Sequence, residues 1–103
     1  MKFTKTTRIM VSTSLSQKII RLLSKHDPRK IGIFGSFARN QQSTSSDIDI
    51  LVDFKEQKSI LELIEIEMEL EDALKRKVDL ITETSVHPYL KDYIQKDLQV
   101  IYQ

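Results

Sequence analysis

The sequence predicts an α/β (α+β) fold, a small mixed sheet flanked by helices, and three observations predict it. Apolar runs at Ile31-Gly32-Ile33-Phe34, Ile48 to Phe54 and Val78 to Ile81 have the length and β-branched content of strands. Stretches with apolar residues at helical spacing precede, separate and follow them. The chain has 103 residues, enough for one core and too few for a second recognition domain. The expected organisation is an N-terminal extension over residues 1–12 and a single domain over 13–103.

The first helix is expected from Leu15 to Lys25. Ser12, Thr13 and Ser14 are candidate N-caps, and Leu15, Ile19, Leu22 and Leu23 share one face. Asp27-Pro28 ends it, because a residue before proline is pushed out of the helical region. A strand follows over Lys30 to Phe34, then a short helix from Ser36 to Asn40 and a polar loop from Gln41 to Ser46. The second strand runs from Asp47 to Phe54. Its period of two puts Ile48, Ile50, Val52 and Phe54 on a core face and Asp47, Asp49, Leu51 and Asp53 on the other.

Ser59 to Lys75 is the longest helical pattern, without Gly or Pro. At 100° per residue it carries two apolar stripes, Ile60, Leu61, Ile64 and Met68 on one side and Leu63, Ile66, Leu70, Ala73 and Leu74 on the other. One stripe suffices to cover a sheet, so the second is expected to meet another helix of the domain or, failing that, a partner. Glu67 and Glu71 lie between the stripes and read as a solvated face. Lys75-Arg76-Lys77 closes the helix with cations at the negative end of its dipole. A third strand follows at Val78 to Ile81, with Val78 and Leu80 on one face and Asp79 and Ile81 on the other. His87-Pro88 marks a turn, Tyr89 to Lys96 a last helix, and Leu98 to Tyr102 a terminal strand.

The chemistry concentrates at Gly35-Ser36-Phe37-Ala38-Arg39 and at Ser46-Asp47-Ile48-Asp49. The first leaves a buried strand, turns at Gly35 and enters a helix whose free N–H groups suit an anion. Ser36 adds a hydroxyl donor and Arg39 a positive charge. Asp47 and Asp49 follow on one strand face about 6.6 Å apart, close enough for both to ligate a divalent ion or an ion pair. Hard oxygen ligands favour magnesium or manganese over zinc. Without a cation, mutual repulsion should make one of the two hold its proton longer than a free Asp would. If the third strand lies beside the second, Asp79 completes a set of three carboxylates suited to nucleotidyl transfer. Asp53 reads as structural. His26 and His87 lack ligand-like company, and Tyr89, Tyr93 and Tyr102 read as packing residues.

Gly35-Ser36, Arg39, Ser46-Asp47-Ile48-Asp49 and a later-strand Asp79 together resemble the signature of the polymerase-β-type nucleotidyltransferase superfamily. At this length the chain is similar to the minimal nucleotidyltransferase (MNT) proteins, mostly prokaryotic antitoxins paired with HEPN-domain ribonuclease toxins. The resemblance runs from about Lys30 to Ile81 and implies a nucleotidyltransferase-type fold. It implies that Gly35, Ser36, Arg39 and Ser46 bind the nucleotide. It also implies that Asp47 and Asp49 bind two magnesium ions, and that Asp79 is the third ligand or the base. ATP is the implied substrate and a HEPN toxin the implied partner. Asn40 departs from the family's usual Gly, and Asn is the next residue most tolerant of a left-handed backbone.

Three functions fit this reading: transfer of AMP from ATP to a hydroxyl, a tyrosine above all, of a HEPN toxin; neutralisation of the toxin by binding alone; and nucleotidyl transfer to a small molecule or RNA end. The intact acidic set favours the first. Sixteen Lys and Arg balance fifteen Asp and Glu, a net charge of +1, which gives no case for sequence-independent nucleic-acid binding. There is no cysteine, which excludes disulfides and thiolate metal sites and fits a reducing cytoplasm. No apolar run approaches the length of a bilayer crossing, so no membrane role is expected.

Overall fold

The computed structural model describes residues 13–39 and 46–103; the expected extension, Asn40 and the loop over 41–45 lie outside them. Three helices, α1 (Thr13–Leu23), α2 (Ile60–Leu74) and α3 (Pro88–Asp97), accompany four strands, β1 (Pro28–Phe34), β2 (Ile48–Phe54), β3 (Val78–Thr82) and β4 (Gln99–Tyr102). The sheet order is β3-β2-β1-β4. β1 pairs antiparallel with β2 and with β4, while β2 and β3 run parallel, so the sheet is mixed as expected.

The alternation in β2 divides the core. Ile48, Ile50, Val52 and Phe54 join Ile31, Ile33 and Val78 on one face, under Ile19 and Leu23 of α1 and Ile66 and Leu70 of α2. Each such side chain fully withdrawn from water contributes about 1.5–3 kcal/mol. On the other face Leu51 and Phe34 pack with Ile94 of α3, flanked by Ile81, Val86 and Leu98. Gly32 is what lets the end of α3 come so close: a Cβ there would stand 2.6 Å from Leu98 Cδ1.

Element ends differ from the sequence reading where local hydrogen bonds decide them. α1 stops at Leu23 and tightens into a 3-10 turn over Ser24–His26, closed by Asp27 in the left-handed region at φ 56°. β1 already begins at Pro28, a first-residue position where the missing N–H costs nothing. The helix expected over Ser36 to Asn40 is instead a turn across 35–39, in which the Arg39 N–H donates to the Gly35 carbonyl at 3.1 Å. One turn fixes several dihedrals for a single bond, so so short a segment gains little by propagating a helix. α2 starts with a capping box: the Glu62 N–H donates to Ser59 Oγ and the Ser59 N–H to Glu62 Oε1. The bond from the Ser59 backbone holds the Glu62 carboxyl below its ordinary pKa.

Two expectations for α2 are corrected. The stripe of Ile66 and Leu70, with Leu63 and Leu74, faces the sheet, but no described helix covers the other stripe. Ile60, Leu61, Ile64 and Met68 are 75%, 73%, 46% and 61% exposed. The reason is that α1 and α2 share one sheet face, α1 contacting β4 and α2 contacting β3, so neither lies across the other's back. Glu67 and Glu71 are not simply solvated either. The Leu80 N–H donates to Glu67 Oε2 at 2.9 Å and the Val78 N–H to Glu71 Oε2 at 3.0 Å. β3 is an edge strand, and these two carboxylates occupy donors that would otherwise be open to another chain. Replacing both by Ala should lower unfolding stability by about 2 kcal/mol in urea titration, at roughly 1 kcal/mol per bond. Replacing both by Gln, which keeps an acceptor, should cost less than half of that.

Candidate active site

Gly35 follows β1 directly and takes φ 77°, a conformation that an L side chain rarely adopts. Its place has a second requirement. Phe34 pairs with Asp49 across β1 and β2, and a Cβ on Gly35 would come within 2.2 Å of Asp49 Oδ2. The turn and the carboxylate are thus in contact through the absence of a side chain. Phe37 and Ala38, both buried, anchor the far side of the turn, Phe37 within the main core. Ser36 and Arg39 remain partly exposed.

The turn, the start of β2 and α3 enclose an open cleft of about 350 Å³, lined by Gly35, Ser36, Arg39, Ser46, Asp47, Asp49 and Tyr93. Asp47 is exposed and Asp49 partly so. Asp79 stands in register with Asp49 on the parallel neighbour β3, as the sequence reading required, but it is not part of the cleft lining. Among the described residues, no group of three or more acidic or histidine side chains is drawn together as an ion cage. What the structure brings together is the pair Asp47 and Asp49 in one cleft with the Gly35 turn, with Asp79 at the flank.

The electrostatics single out Asp49. Burial, then the charges of Asp79 and Asp47, raise its pKa from 3.8 to about 6, while Arg39 opposes the rise. This is the carboxylate expected to hold its proton. A carboxyl among uncompensated acids is a poor resident for a cation-free site and a suitable one for a dication. Arg39 is itself held: Nη1 donates to Asp97 Oδ2 of α3 at 2.6 Å. That bond raises the Arg39 pKa above its ordinary value, against the opposing effect of burial.

Three residues of this region were not singled out from the sequence. Arg76 stacks over the Phe37 ring at 5.1 Å and donates from Nη1 to the Ser46 carbonyl at 3.0 Å, tying the turn to the start of the acidic segment. In the sequence it was one cation of a helix-closing run. Tyr93 lines the cleft and is 54% exposed, and Tyr89 is 88% exposed, so neither is the packing residue expected. Tyr93 and Asp97 are four apart on α3, which puts both on one helix face; that spacing was the available signal. Tyr102 is likewise 41% exposed rather than packed; Asp53 pairs with Arg29 at 3.4 Å, His26 lies by Glu69, and His87 caps α3 by accepting from the Tyr89 N–H.

A glycine turn pressed against paired strand carboxylates on a small mixed sheet is the arrangement expected of a nucleotidyltransferase. Residues 17–103 match the family described as Polymerase beta, Nucleotidyltransferase, and the chain belongs to that family. Within it, the chain is similar to small proteins of adenylyl transfer. A Methanocaldococcus jannaschii protein provisionally named protein adenylyltransferase MJ0435 is 51% identical over 80 residues, 78% of this chain and 86% of that protein. Protein adenylyltransferase MntA of Thermococcus cleftensis is 48% identical over 58 residues, 56% of this chain and 59% of that protein. A chain in the crystal structure of a toxin–antitoxin with AMP-PNP superposes with a TM-score of 0.79 at 28% identity, covering 84% of this chain and 72% of that one. A chain in the structure of tri-AMPylated Shewanella oneidensis HEPN toxin with MNT antitoxin does so with a TM-score of 0.72 at 25% identity, covering 86% and 70%. No described helix is long and apolar enough to cross a membrane.

The Asp49 shift has a testable sign. The folded state binds this proton more tightly than the unfolded chain, so the group's stabilising contribution is present below about pH 4 and is lost as pH rises to about 6. Asp49→Asn removes the loss. In chelator, the variant's melting temperature should exceed that of the wild type at pH 7 by about 4 °C or more, and the gap should close near pH 4. That margin corresponds to ~1 kcal/mol after allowance for solvent screening of a partly exposed carboxylate. Thermal unfolding across pH checks it.

Proposed function

We propose that this protein is an adenylyltransferase that moves AMP from ATP to a hydroxyl of a HEPN-domain toxin, a tyrosine above all, and thereby acts as its antitoxin. The observation that carries the reading is the contact between the Gly35 turn and Asp49, which sets an anion-binding backbone beside paired carboxylates in one cleft. Family membership and the activity for which its relatives are named support it. Solved structures similar to this chain contain a HEPN toxin or AMP-PNP, which supports the partner and the nucleotide.

In this reading the backbone of the Gly35 turn, with the hydroxyls of Ser36 and Ser46, holds the triphosphate, and Arg39 adds charge along it. Asp47 and Asp49 would hold magnesium, with Asp79 at the flank as third ligand or as base. Hard carboxylate donors and the crowding of negative charge on Asp49 suit that ion. When bound there, magnesium neutralises charge on the phosphates and makes the acceptor hydroxyl a better nucleophile. The acceptor oxygen forms a bond to the α-phosphorus, the bond to the β-phosphate oxygen breaks, and pyrophosphate leaves. The hydroxyl proton passes to a carboxylate, for which Asp79, exposed and in register with Asp49, is the candidate.

Incubating the protein with its HEPN partner, ATP and magnesium should add AMP to the partner, read by intact-mass spectrometry. The double substitution Asp47→Ala and Asp49→Ala should reduce the rate by about 100-fold or more, the scale on which lost transition-state electrostatics is felt. A doubly substituted protein that neutralises the partner at full strength with no adduct would replace this reading by inhibition through binding.

A further inference from the structure

The turn that carries Arg39 lies early in the chain, yet a charged partner for its guanidinium comes from the other end. Arg39 and Asp97 are 58 positions apart, joined at 2.6 Å, and their side chains are 36% and 14% exposed. A partly desolvated, charge-assisted bond of this kind is far more orienting than a surface pair. Tyr93, one turn earlier on α3, lines the cleft together with Arg39. The two form a bracket on one helix face.

The bracket is placed by packing. Ile94 and Leu98 seat α3 on Phe34 and Leu51, and Leu98 occupies the space left by the missing side chain of Gly32. Asp97 immediately precedes Leu98, so the contact that docks the helix also delivers the carboxylate to Arg39. The alternative anion for Arg39 is Asp49, whose charge it already feels across the cleft. A guanidinium carries five N–H donors in a planar fork, so fixing one edge sets where the other points.

We infer that Asp97 and Tyr93 are positioning residues, which hold the Arg39 fork toward the triphosphate site and keep it from closing onto Asp49. The inference rests on the proposed nucleotide-binding role of the cleft and adds the device that sets affinity for the triphosphate. Neither residue touches the reacting atoms; both act through Arg39. Asp97 therefore governs how well ATP is held more than how fast a bound ATP reacts.

The test is a double-mutant cycle on AMP transfer to the HEPN partner, with KM for magnesium–ATP and kcat measured separately. Asp97→Asn should raise KM by about 10-fold and change kcat by less than about 3-fold, a split that general loosening of the fold would not give. Asp97→Glu, which keeps the charge, should recover most of the affinity. Tyr93→Phe, a milder change that spares packing, should raise KM by about 2- to 5-fold. In an Arg39→Ala background, Asp97→Asn should have no further effect. An unchanged KM in both Asp97→Asn and Tyr93→Phe overturns the inference, and so does an equal Asp97→Asn effect with and without Arg39. A wild-type protein that transfers no AMP would instead remove the functional reading itself, a result distinguishable from either.

Discussion

The site depends on one close approach: the backbone of Gly35 against the carboxylate of Asp49. Two independent demands fall on the same residue there, a left-handed φ of 77° and the absence of a Cβ that would otherwise meet Asp49 Oδ2 at 2.2 Å. Glycine alone satisfies both. Because Phe34 is paired with Asp49 across the two central strands, the antiparallel register itself puts the turn over the acid. The sheet therefore sets the Gly35 turn and the carboxylates at a fixed separation, and the core on its two faces holds the register.

Around that contact the structure spends its side-chain interactions on holding backbone and charge in place. Arg76 links the turn to Ser46 through Phe37, Asp97 holds Arg39, and Glu67 and Glu71 close the outer edge of β3, the strand that carries Asp79. Asp49 is crowded by burial and two neighbouring acids, and Arg39 offsets that crowding only in part. A protein that only needed to fold would gain by replacing Asp49. A crowded carboxylate in a cleft beside a glycine turn marks a candidate functional site and suits the proposed cation and phosphate.

The core and the acidic strands were legible because they follow short-range rules. The period of two in Ile48 to Phe54 gave the buried face and the placement of Asp49 opposite it, and the same rule placed Asp79. The extent of α2, expected over Ser59 to Lys75 and found over Ile60–Leu74, followed from helical spacing. What was not legible arises from contacts between distant segments. Arg76, Tyr93 and Asp97 have ordinary local settings, a cationic helix end and an exposed helix face, and their role exists only once α2 and α3 are docked. The motif segment read as a helix because a glycine after a strand commonly opens one, whereas only a single turn forms before Asn40. The uncovered stripe of Ile60, Leu61, Ile64 and Met68 could not be anticipated from α2 alone, since it depends on α1 lying beside α2 on the sheet.

The most direct measurement of the central claim is calorimetric titration of a non-hydrolysable ATP analogue into the wild-type protein and Gly35→Ala, each with magnesium and with chelator. The account predicts binding by the wild type that requires magnesium, and loss of that binding in Gly35→Ala even where circular dichroism shows the fold retained. Equal affinity in chelator, or a folded Gly35→Ala protein that binds as the wild type does, would contradict it.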